Sequence, residues 1–358
     1  MTLWLGALYA VLVVARLALA RRERSHGNRP STIVQPILSG DPLLEQTLAA
    51  NLRAHPEAAF LWLIDDDDHE AQRIAAALAP LHARLRILTG PGPRDGDNPK
   101  LAKLERALAL VETERLIVLD DDTFLPHDSQ LPAAALATGL PVFTAKGSLY
   151  ERLTGGFVNG NALLTYPSAW RLGLQRTING MIYSVDAAQL RALGGFAAAG
   201  HELTDDYAVA RLYLRSGFAI TQTTTPAHVA MTIASFGHYA RVMRRWMIFA
   251  SHYLRGNISP ATIFWILLPG LLPLAGLAAA VAEAHAAAWL GLLLTKALVN
   301  RVALWRITRV RSTLADLCFE AAADLATPLW SALAMIRPSR LQWRTRRIEL
   351  ESGAIRYK

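Results

Sequence analysis

Apolar and polar positions between residues 31 and 119 alternate between two patterns. Short apolar runs of strand length are separated by stretches whose apolar residues recur at helical spacing. The predicted strands cover 31–39, 59–64, 84–90 and 115–119, and the predicted helices cover 41–55, 69–83 and 100–113. Fully apolar strands that alternate with helices are typical of a parallel sheet covered by helices. The pattern therefore predicts an α/β fold for this part of the chain.

Long apolar segments lie at both ends of the chain. Residues 3–20 form one, interrupted by a single arginine and followed by the segment RRER at 21–24. Residues 261–282 carry no charge, and 284–299 form a second, weaker candidate. About 20 apolar residues suffice to cross the hydrocarbon core of a membrane. A cleaved signal peptide would need its charge before the run and a small-residue site after it, so we predict an uncleaved anchor.

A third apolar segment, 313–336, carries three acids at a spacing of four: Asp316, Glu320 and Asp324. This spacing places them on one helical face. An acidic stripe facing lipid would be expensive, so we expect the face to contact protein, or the helix to lie at the interface or to re-enter. If residues 3–20 cross from outside to inside, two later crossings return the chain to the cytoplasm. The arginines of the tail at 337–347 then stay inside, as the positive-inside rule favours, whereas a third later crossing would put them outside.

Acidic clusters follow two of the predicted strands. Four aspartates occupy 65–68 and three occupy 120–122, while a third cluster, at 205–206, opens a helical pattern. Since ligands bind outside the carboxyl ends of strands in such sheets, we expect the first two clusters to line one crevice. One such cluster alone would fit a solvated turn or a helix cap, but three in a single α/β domain indicate a site.

The pair Asp120 and Asp122, with one residue between them, can reach a single divalent cation. Mg²⁺ and Mn²⁺ prefer carboxylate oxygens, and a phosphorylated ligand could supply the remaining ones. Asp206 has two interpretations. It is a favourable charge at a helix N-terminus, or a general base whose pKa is raised by neighbouring carboxylates.

Basic residues offer the counter-charge in two places. Lys100 and Lys103 begin a predicted helix, where a lysine and the free N–H groups suit a phosphate. Arg244, Arg245 and Trp246 lie just before the long apolar segment. They fit an amphipathic helix on lipid headgroups, a clamp on a diphosphate leaving group, or both.

The composition of the chain limits which metal sites and which partners are possible. The chain has 358 residues, 52% hydrophobic, with a net charge of +8 and one cysteine, which excludes an intrachain disulfide and a cysteine-based zinc site. A basic balance fits nucleic acid, an anionic membrane or a phosphorylated substrate. Because the basic residues flank apolar helices rather than forming a patch with aromatic residues, we expect no nucleic-acid partner.

These motifs, in this order, resemble the ceramide glucosyltransferase type of enzyme (family 21), within the family 2-type GT-A glycosyltransferases. The resemblance covers about residues 30–250 by motif and the C-terminal helices by layout. The matching segments are QPILSGDPLLEQTLAANL, LIDDDDHEA, NPKLAKL, LIVLDDDTFLP, TINGMIYSVDAAQLRALGGF and TDDYAVARL.

The resemblance implies a role for each motif. Asp65, Asp67 and Asp68, with Lys100 and Asp120, would bind the nucleotide sugar, and Asp120 and Asp122 would hold Mg²⁺ or Mn²⁺ at the donor diphosphate. Asp206 would be the base that deprotonates the acceptor. Arg245 and Trp246 match the end of a (Q/R)-x-x-R-W motif. Val242 stands where Gln or Arg is expected, which leaves Arg244 as the candidate substitute.

The resemblance and the patterns together predict a GT-A fold, a Rossmann-like and mostly parallel sheet with helices on both faces, plus transmembrane helices. The predicted parts are an anchor at 1–22, a cytosolic catalytic domain at 30–236, an interfacial helix at 237–257, transmembrane or re-entrant helices at 258–336 and a basic cytosolic tail at 337–358. We expect a multi-pass protein of the inner (plasma) membrane.

The predicted reaction is inverting transfer of a sugar from a nucleotide sugar, a UDP-sugar in the simplest case, to a hydroxyl of a lipid acceptor. A ceramide-like and a hopanoid-type lipid both fit. Three alternatives remain open at this stage: a processive polysaccharide synthase, a polyprenyl-phosphate sugar transferase, and a membrane-anchored protein that binds Ca²⁺ without catalysis.

Overall fold

The computed structural model describes residues 1–21, 30–127, 129–336, 340–343, 346–351 and 354–357. The chain divides into two compact units that interleave along the sequence. We call them the helical unit (Met1–Glu23, Val142–Gln175 and Ile233–Ile336) and the sheet unit (Arg24–Pro141, Arg176–Thr232 and Arg337–Lys358). The basic residues Arg22, Arg24, Arg337 and Arg344 lie outside the described residues, so their predicted cytoplasmic location stays a prediction.

The strands and helices have the following bounds. The strands are β1 (Ser31–Pro36), β2 (Ala59–Asp65), β3 (Leu85–Gly90), β4 (Arg115–Leu119), β5 (Thr123–Phe124), β6 (Leu136–Phe143), β7 (Ile182–Asp186), β8 (Ile220–Val229), β9 (Arg340–Trp343), β10 (Arg346–Glu351) and β11 (Ala354–Tyr357). The helices are α1 (Thr2–Leu19), α2 (Leu44–Ala54), α3 (His69–Leu78), α4 (Pro99–Leu108), α5 (Leu149–Arg171), α6 (Ala187–Ala192), α7 (Asp205–Arg215), α8 (Phe236–Asn257), α9 (Pro260–Thr262), α10 (Leu268–Ala282), α11 (Ala286–Thr308) and α12 (Leu314–Met335).

The sheet unit is built on a mixed sheet with the strand order β3-β2-β1-β4-β7-β6-β8-β5. The four strands predicted from sequence, β1 to β4, pair in parallel. The sheet then continues with antiparallel pairs, β4 with β7, β7 with β6, and β8 with β5. The predicted α/β fold is confirmed, and its parallel half is the one whose strands end in the first two acidic clusters. The tail strands β9 to β11 form a small antiparallel sheet.

Side chains of β2 alternate between two cores, one on each face of the sheet. Phe60 and Trp62 pack in a buried cluster with residues of α2 and α3. Leu61 and Leu63 point the other way and pack in a second cluster with α4 and α7. This alternation follows from the two-residue period of a strand. Helices therefore cover both faces of the sheet, as predicted.

The helical unit contains the apolar helices. Among the described residues, three helical segments are long and apolar enough to cross a membrane: Thr2–Leu19, Pro260–Ala282 and Ala286–Thr308. These match the three predicted crossings. The second runs through α9, a five-residue π-helical turn at Ile263–Leu267, and α10.

The acidic face of α12 contacts protein, which is one of the two arrangements expected from the sequence. Asp324 and Glu320 pair with Lys296 of α11, with Nζ to oxygen distances of 2.8 and 3.0 Å. Glu320 also pairs with Arg301 at 2.6 Å, and Asp316 pairs with Lys146 at 2.9 Å. All three acids are buried. Pairing within the unit removes the cost of facing these charges toward lipid.

The position of α5 differs from the prediction of one continuous domain over residues 30–236. This helix belongs to the helical unit, where its glycines lie against α12. A Cβ atom on Gly160 would come within 2.8 Å of the Glu320 side chain, and one on Gly156 would meet the backbone of Phe319. Small residues allow two helices to approach this closely. The predicted interfacial helix at 237–257 corresponds to α8.

Candidate active site

Helix α4 carries the positive charge around which the acidic clusters of the sheet unit gather. The helix begins after Asn98, whose side chain accepts hydrogen bonds from the backbone N–H groups of Lys100 and Leu101. Pro99 occupies the first helical position, where its missing N–H costs nothing. Lys100 and Lys103 are three residues apart, so they share one face of the helix. Both side chains are buried.

Lys100 links two acidic clusters that are distant in sequence. Its Nζ lies 2.7 Å from the carboxylate of Asp120, directly after β4, and 2.9 Å from that of Asp205, the first residue of α7. It also donates a hydrogen bond to the carbonyl of Gly180 at 2.7 Å. We refer to Lys100, Asp120, Asp205 and Gly180 as the Lys100 cluster.

The charges of the Lys100 cluster offset one another. Burial alone would lower the pKa of Lys100, but Asp120 and Asp205 outweigh it and hold the pKa well above its ordinary value. Burial also raises the pKa of Asp120, and the attraction of Lys100 only partly opposes that rise. The lysine is therefore a permanent cation between two carboxylates in surroundings from which water is largely excluded.

Asp206 lies beside this cluster and is half-buried. Burial, together with the negative charge of Asp205, raises the pKa of Asp206 to about 7. Its carboxylate accepts a hydrogen bond from the backbone N–H of Tyr207 at 2.7 Å. A carboxylate with a pKa near neutrality is well matched to accept a proton from a hydroxyl. The role of Asp206 as a general base stays a prediction, and a pKa near 7 suits that role.

Gly180 permits the close approach of these groups. A Cβ atom at this position would lie 3.2 Å from Cβ of Asp206, 3.4 Å from Oδ2 of Asp205 and 3.7 Å from Nζ of Lys100. Any side chain here would press on the start of α7. The glycine of the TINGM segment is thus needed for close packing at the site.

The charge of Asp65, the last residue of β2, is neutralised by Lys103, which lies one turn after Lys100 in α4. Its carboxylate is 1% exposed and lies 3.1 Å from Nζ of Lys103 and 3.6 Å from the guanidinium of Arg106. Lys103 also donates a hydrogen bond to the carbonyl of Ile37 at 2.6 Å. The first and second acidic clusters therefore reach the same helix, as the position of both at the carboxyl ends of parallel strands predicts.

Asp68 and Asp67 occupy different environments. Asp68 caps α3 by accepting a hydrogen bond from Ala71, and its other oxygen accepts one from the backbone of Ser39 at 2.8 Å. Burial would raise the pKa of Asp68, but these hydrogen bonds and the charge of Lys103 lower it below its usual range. Asp67 is exposed. Asp68 thus fixes the loop after β1, while Asp67 faces outward.

The segment at 120–122 is held by its own neighbours. Asp121 accepts a hydrogen bond from the backbone of Leu38 at 2.8 Å, and the buried Asp122 accepts one from the hydroxyl of Thr123 at 3.1 Å. In the described part of the chain, no group of three or more His, Cys, Asp or Glu side chains could hold a metal ion. Two carboxylates that share an ion with ligand phosphates are nevertheless a typical donor set for Mg²⁺. Asp120 and Asp122 fit a cation of that kind.

Arg244, Arg245 and Trp246 lie in α8, within the helical unit. The ring of Trp246 stacks on Phe157 of α5 at a centroid distance of 5.9 Å. Val242, which replaces the expected Gln or Arg, is buried at 4% exposure. A polar side chain at that buried position would need a partner. The predicted contact of this motif with the donor diphosphate stays a prediction.

The whole chain is similar to one protein family. Residues 1–355 match the family described as glycosyl transferase family 21. The chain belongs to this family. The resemblance noted from the motifs is confirmed, and the chain is a glycosyltransferase, which excludes the alternative of a cation-binding protein without catalysis. A comparison with curated protein sequences finds no match.

Solved structures resemble this family 21 enzyme only distantly. A mannosyltransferase from Pyrobaculum calidifontis, in complex with GDP-Man and Mn²⁺, is 17% identical over 90% of this chain and 99% of its own, with a TM-score of 0.44. Glucosyl-3-phosphoglycerate synthase from Mycobacterium tuberculosis, in complex with Mn²⁺, UDP-Glc and phosphoglyceric acid, is 14% identical over 63% of this chain and 84% of its own, with a TM-score of 0.37.

Two features of the family 21 site were not assigned from sequence. Asp205 belongs to the third acidic cluster, but its ion pair with Lys100 joins residues that no local pattern connects. Gly180 lies in the TINGM motif, and the motif does not reveal how closely this glycine approaches the start of α7. For both, the available signal was their presence in the motifs that carry the family resemblance.

Proposed function

We propose that this family 21 enzyme is an inverting glycosyltransferase that moves a sugar from a UDP-sugar to a hydroxyl of a lipid acceptor. The observation that carries the proposal is the position of Asp206. It lies next to Asp205 of the Lys100 cluster and has a pKa near 7. A base poised in this way is what the abstraction of a proton from an acceptor alcohol requires.

The donor would bind along α4 and the adjoining strand ends. Asp65, Asp67, Asp68, Lys100 and Asp120 are the proposed contacts to the nucleotide sugar. Lys100 and Asp120 are already in contact with each other, so the donor meets a preformed set of charges. Preorganised charges of this kind stabilise developing charge without reorganisation at the moment of reaction.

A divalent cation, Mg²⁺ or Mn²⁺, is the proposed cofactor, with Asp120 and Asp122 as its protein ligands. When bound, such an ion neutralises charge that develops on a departing diphosphate. Arg244, Arg245 and Trp246 are proposed as further contacts to the leaving group.

The residues of the chain divide the chemical work as follows. Asp206 takes the proton of the acceptor hydroxyl while the oxygen of that hydroxyl forms a bond to the anomeric carbon of the sugar. The bond between that carbon and the diphosphate oxygen breaks on the opposite face, so the configuration of the sugar inverts. Asp205 keeps Asp206 basic through its negative charge, and Lys100 holds Asp205 in place.

A lipid acceptor is supported by the membrane segments. Three segments of the helical unit are long and apolar enough to cross a membrane, and α8, which precedes the second of them, carries basic residues and Trp246. Such a helix suits the membrane interface, where the hydroxyl of a ceramide-like or hopanoid-type lipid would be presented. We place the protein in the inner (plasma) membrane with its catalytic domain in the cytoplasm, following the positive-inside rule.

The direct test uses purified protein in lipid nanodiscs with Mn²⁺, labelled UDP-sugars and a panel of lipid alcohols. We expect one glycolipid product with inverted anomeric configuration, identified by mass spectrometry and NMR. Asp206→Asn should abolish transfer and leave donor binding nearly intact, because it removes only the proton acceptor.

The matched control is Asp186→Asn in the same unit. Asp186 also starts a helix, where it accepts a hydrogen bond from the backbone of Gln189 at 2.8 Å, and asparagine keeps that cap. We expect it to transfer at the wild-type rate. Full transfer by Asp206→Asn would remove this residue from the base role, and transfer to soluble saccharides alone would contradict the lipid acceptor.

A further inference from the structure

Asn98 uses all the hydrogen-bonding capacity of its side chain. Its Oδ1 accepts from the backbone N–H groups of Lys100 at 3.0 Å and Leu101 at 3.1 Å. Its Nδ2 donates to the carbonyls of Glu202 at 2.9 Å and Leu203 at 3.1 Å. The residue is fully buried, with 0% exposure. One amide therefore joins the start of α4 to the segment that leads into α7.

The backbone around Asn98 strengthens this junction. Its own N–H donates to the carbonyl of Gly200 at 2.6 Å. His201 lies 3.0 Å from the carbonyl of Gly96 and 3.7 Å from the carboxylate of Asp97. Several hydrogen bonds therefore join residues 96–98 to residues 200–203, and Asn98 is the fully buried residue of these two segments.

The N-cap residue of helix α7, Thr204, makes no side-chain capping bond. Among the described residues, the buried hydroxyl of Thr204 has no hydrogen-bond partner. Caps normally fix the first turn of a helix by satisfying its free N–H groups. The first turn of α7 carries Asp205 and Asp206, so its placement depends on contacts that come from outside the helix.

We propose that Asn98 is a positioning residue for the transfer reaction, which holds the 202–203 segment so that Asp205 and Asp206 stay aligned with Lys100. The inference rests on the proposed function. Because its side chain is fully buried and its polar atoms are bonded to the backbone, Asn98 would act through the start of α7 rather than by contacting a substrate. The side chain has two separable roles: its oxygen caps α4, and its nitrogen donates hydrogen bonds to the carbonyls of residues 202 and 203.

Substitutions at this position separate the two roles. Ser and Asp are about as good as Asn at capping a helix, so Asn98→Ser and Asn98→Asp keep the cap of α4. Neither residue can donate to both carbonyls, and the carboxylate of Asp additionally repels them. If Asn98 were only a cap, both variants would behave like the wild type.

The expected result is a loss of turnover without a loss of donor affinity. We expect kcat for transfer to fall roughly 10- to 100-fold in Asn98→Ser, since small misplacements of reacting groups have effects of that size. Asn98→Asp should lose more. The dissociation constant for UDP-sugar with Mn²⁺ should change less than about threefold in Asn98→Ser, because the cap and Lys100 remain.

Hydrogen exchange provides a readout that needs no turnover. Asn98→Ser should speed amide exchange in a peptide that covers 201–207 and leave a peptide that covers 101–108 unchanged. Asn51→Ser is the matched control. Asn51 is also 0% exposed and bonds two backbone groups, the carbonyl of Thr123 and the N–H of Leu125. It should destabilise the fold without speeding exchange at 201–207.

The outcomes distinguish this inference from the proposed function. Wild-type kcat in both Asn98→Ser and Asn98→Asp, or unchanged exchange at 201–207 in Asn98→Ser, would overturn the positioning role. If the wild type transfers no sugar to any lipid, the proposed function fails, and the exchange experiment still decides whether Asn98 holds the start of α7.

Discussion

Replacing Lys100 by methionine removes one positive charge from between two carboxylates and keeps the length of the side chain. The lysine side chain is 7% exposed, that of Asp205 is 9% exposed and that of Asp120 is 28% exposed. Removing one partner of a buried ion pair costs about 3–5 kcal/mol, because the other partner is left as an uncompensated buried charge. Since Asp120 retains some solvent contact, we expect a loss near the lower limit, about 3 kcal/mol.

Such a loss is large enough to measure by thermal unfolding. At about 2–4 °C per kcal/mol for a unit of this size, Lys100→Met should lower Tm by roughly 6–12 °C at pH 8. The deficit should shrink as pH falls. Burial already raises the pKa of Asp120, so without Lys100 the folded protein binds a proton here more tightly than the unfolded chain. As pH falls, the carboxyl of Asp120 becomes protonated and the penalty shrinks.

The control is Arg86→Met, which removes an exposed ion pair with Glu112, at 3.8 Å and with side chains 56% and 87% exposed. Exposed pairs contribute little, so its Tm should stay close to that of the wild type. A Tm for Lys100→Met within about 2 °C of the wild type at pH 8, or a deficit of equal size at pH 8 and pH 5, would refute the reasoning.

Further predictions concern the base, the glycine and the membrane helices. The rate of sugar transfer by the wild type should rise with pH with a midpoint near 7, because Asp206 acts in its deprotonated form and has a pKa of about 7. Asp205→Asn removes a neighbouring negative charge, so it should move this midpoint to lower pH. Gly180→Ala places a Cβ 3.2 Å from that of Asp206 and should reduce kcat by roughly tenfold or more, measured at saturating donor. Lys296→Met removes the lysine that pairs with the buried Asp324 at 2.8 Å in the helical unit and should reduce the folded fraction after detergent extraction, which size-exclusion chromatography reports.

Local patterns predicted the parallel half of the sheet and the helices that are apolar enough to cross a membrane. Strands β1 to β4 are apolar, short and bounded by turn residues, so their periodicity and length identify them as strands. The acids of α12 had to find protein partners because lipid offers none, and Lys296 and Arg301 supply them. The strands depend on residues that are close in sequence. The pairing of the α12 acids follows from the cost of a buried charge, which a cation within the protein relieves.

Contacts between distant segments could not be predicted in the same way. Strand β8 contains threonines and a proline, and its pattern of apolar and polar residues does not predict a strand. Helix α5 belongs to the helical unit because its glycines match the surface of α12, which no single segment reveals. The ion pair of Lys100 with Asp205 depends on how β7 and α7 return to α4. The motifs indicated which residues matter, and the tertiary structure determined how they pair.

The central claim is that the acids gathered around α4 bind a nucleotide sugar together with one divalent cation. The most direct measurement is a Mn²⁺ titration followed by electron paramagnetic resonance, with and without UDP-sugar. Because the described residues offer no protein-only metal group, one Mn²⁺ per chain should bind tightly only when the nucleotide is present, and Asp122→Asn should abolish that binding. Tight Mn²⁺ binding that is independent of nucleotide, or unchanged in Asp122→Asn, would contradict the account.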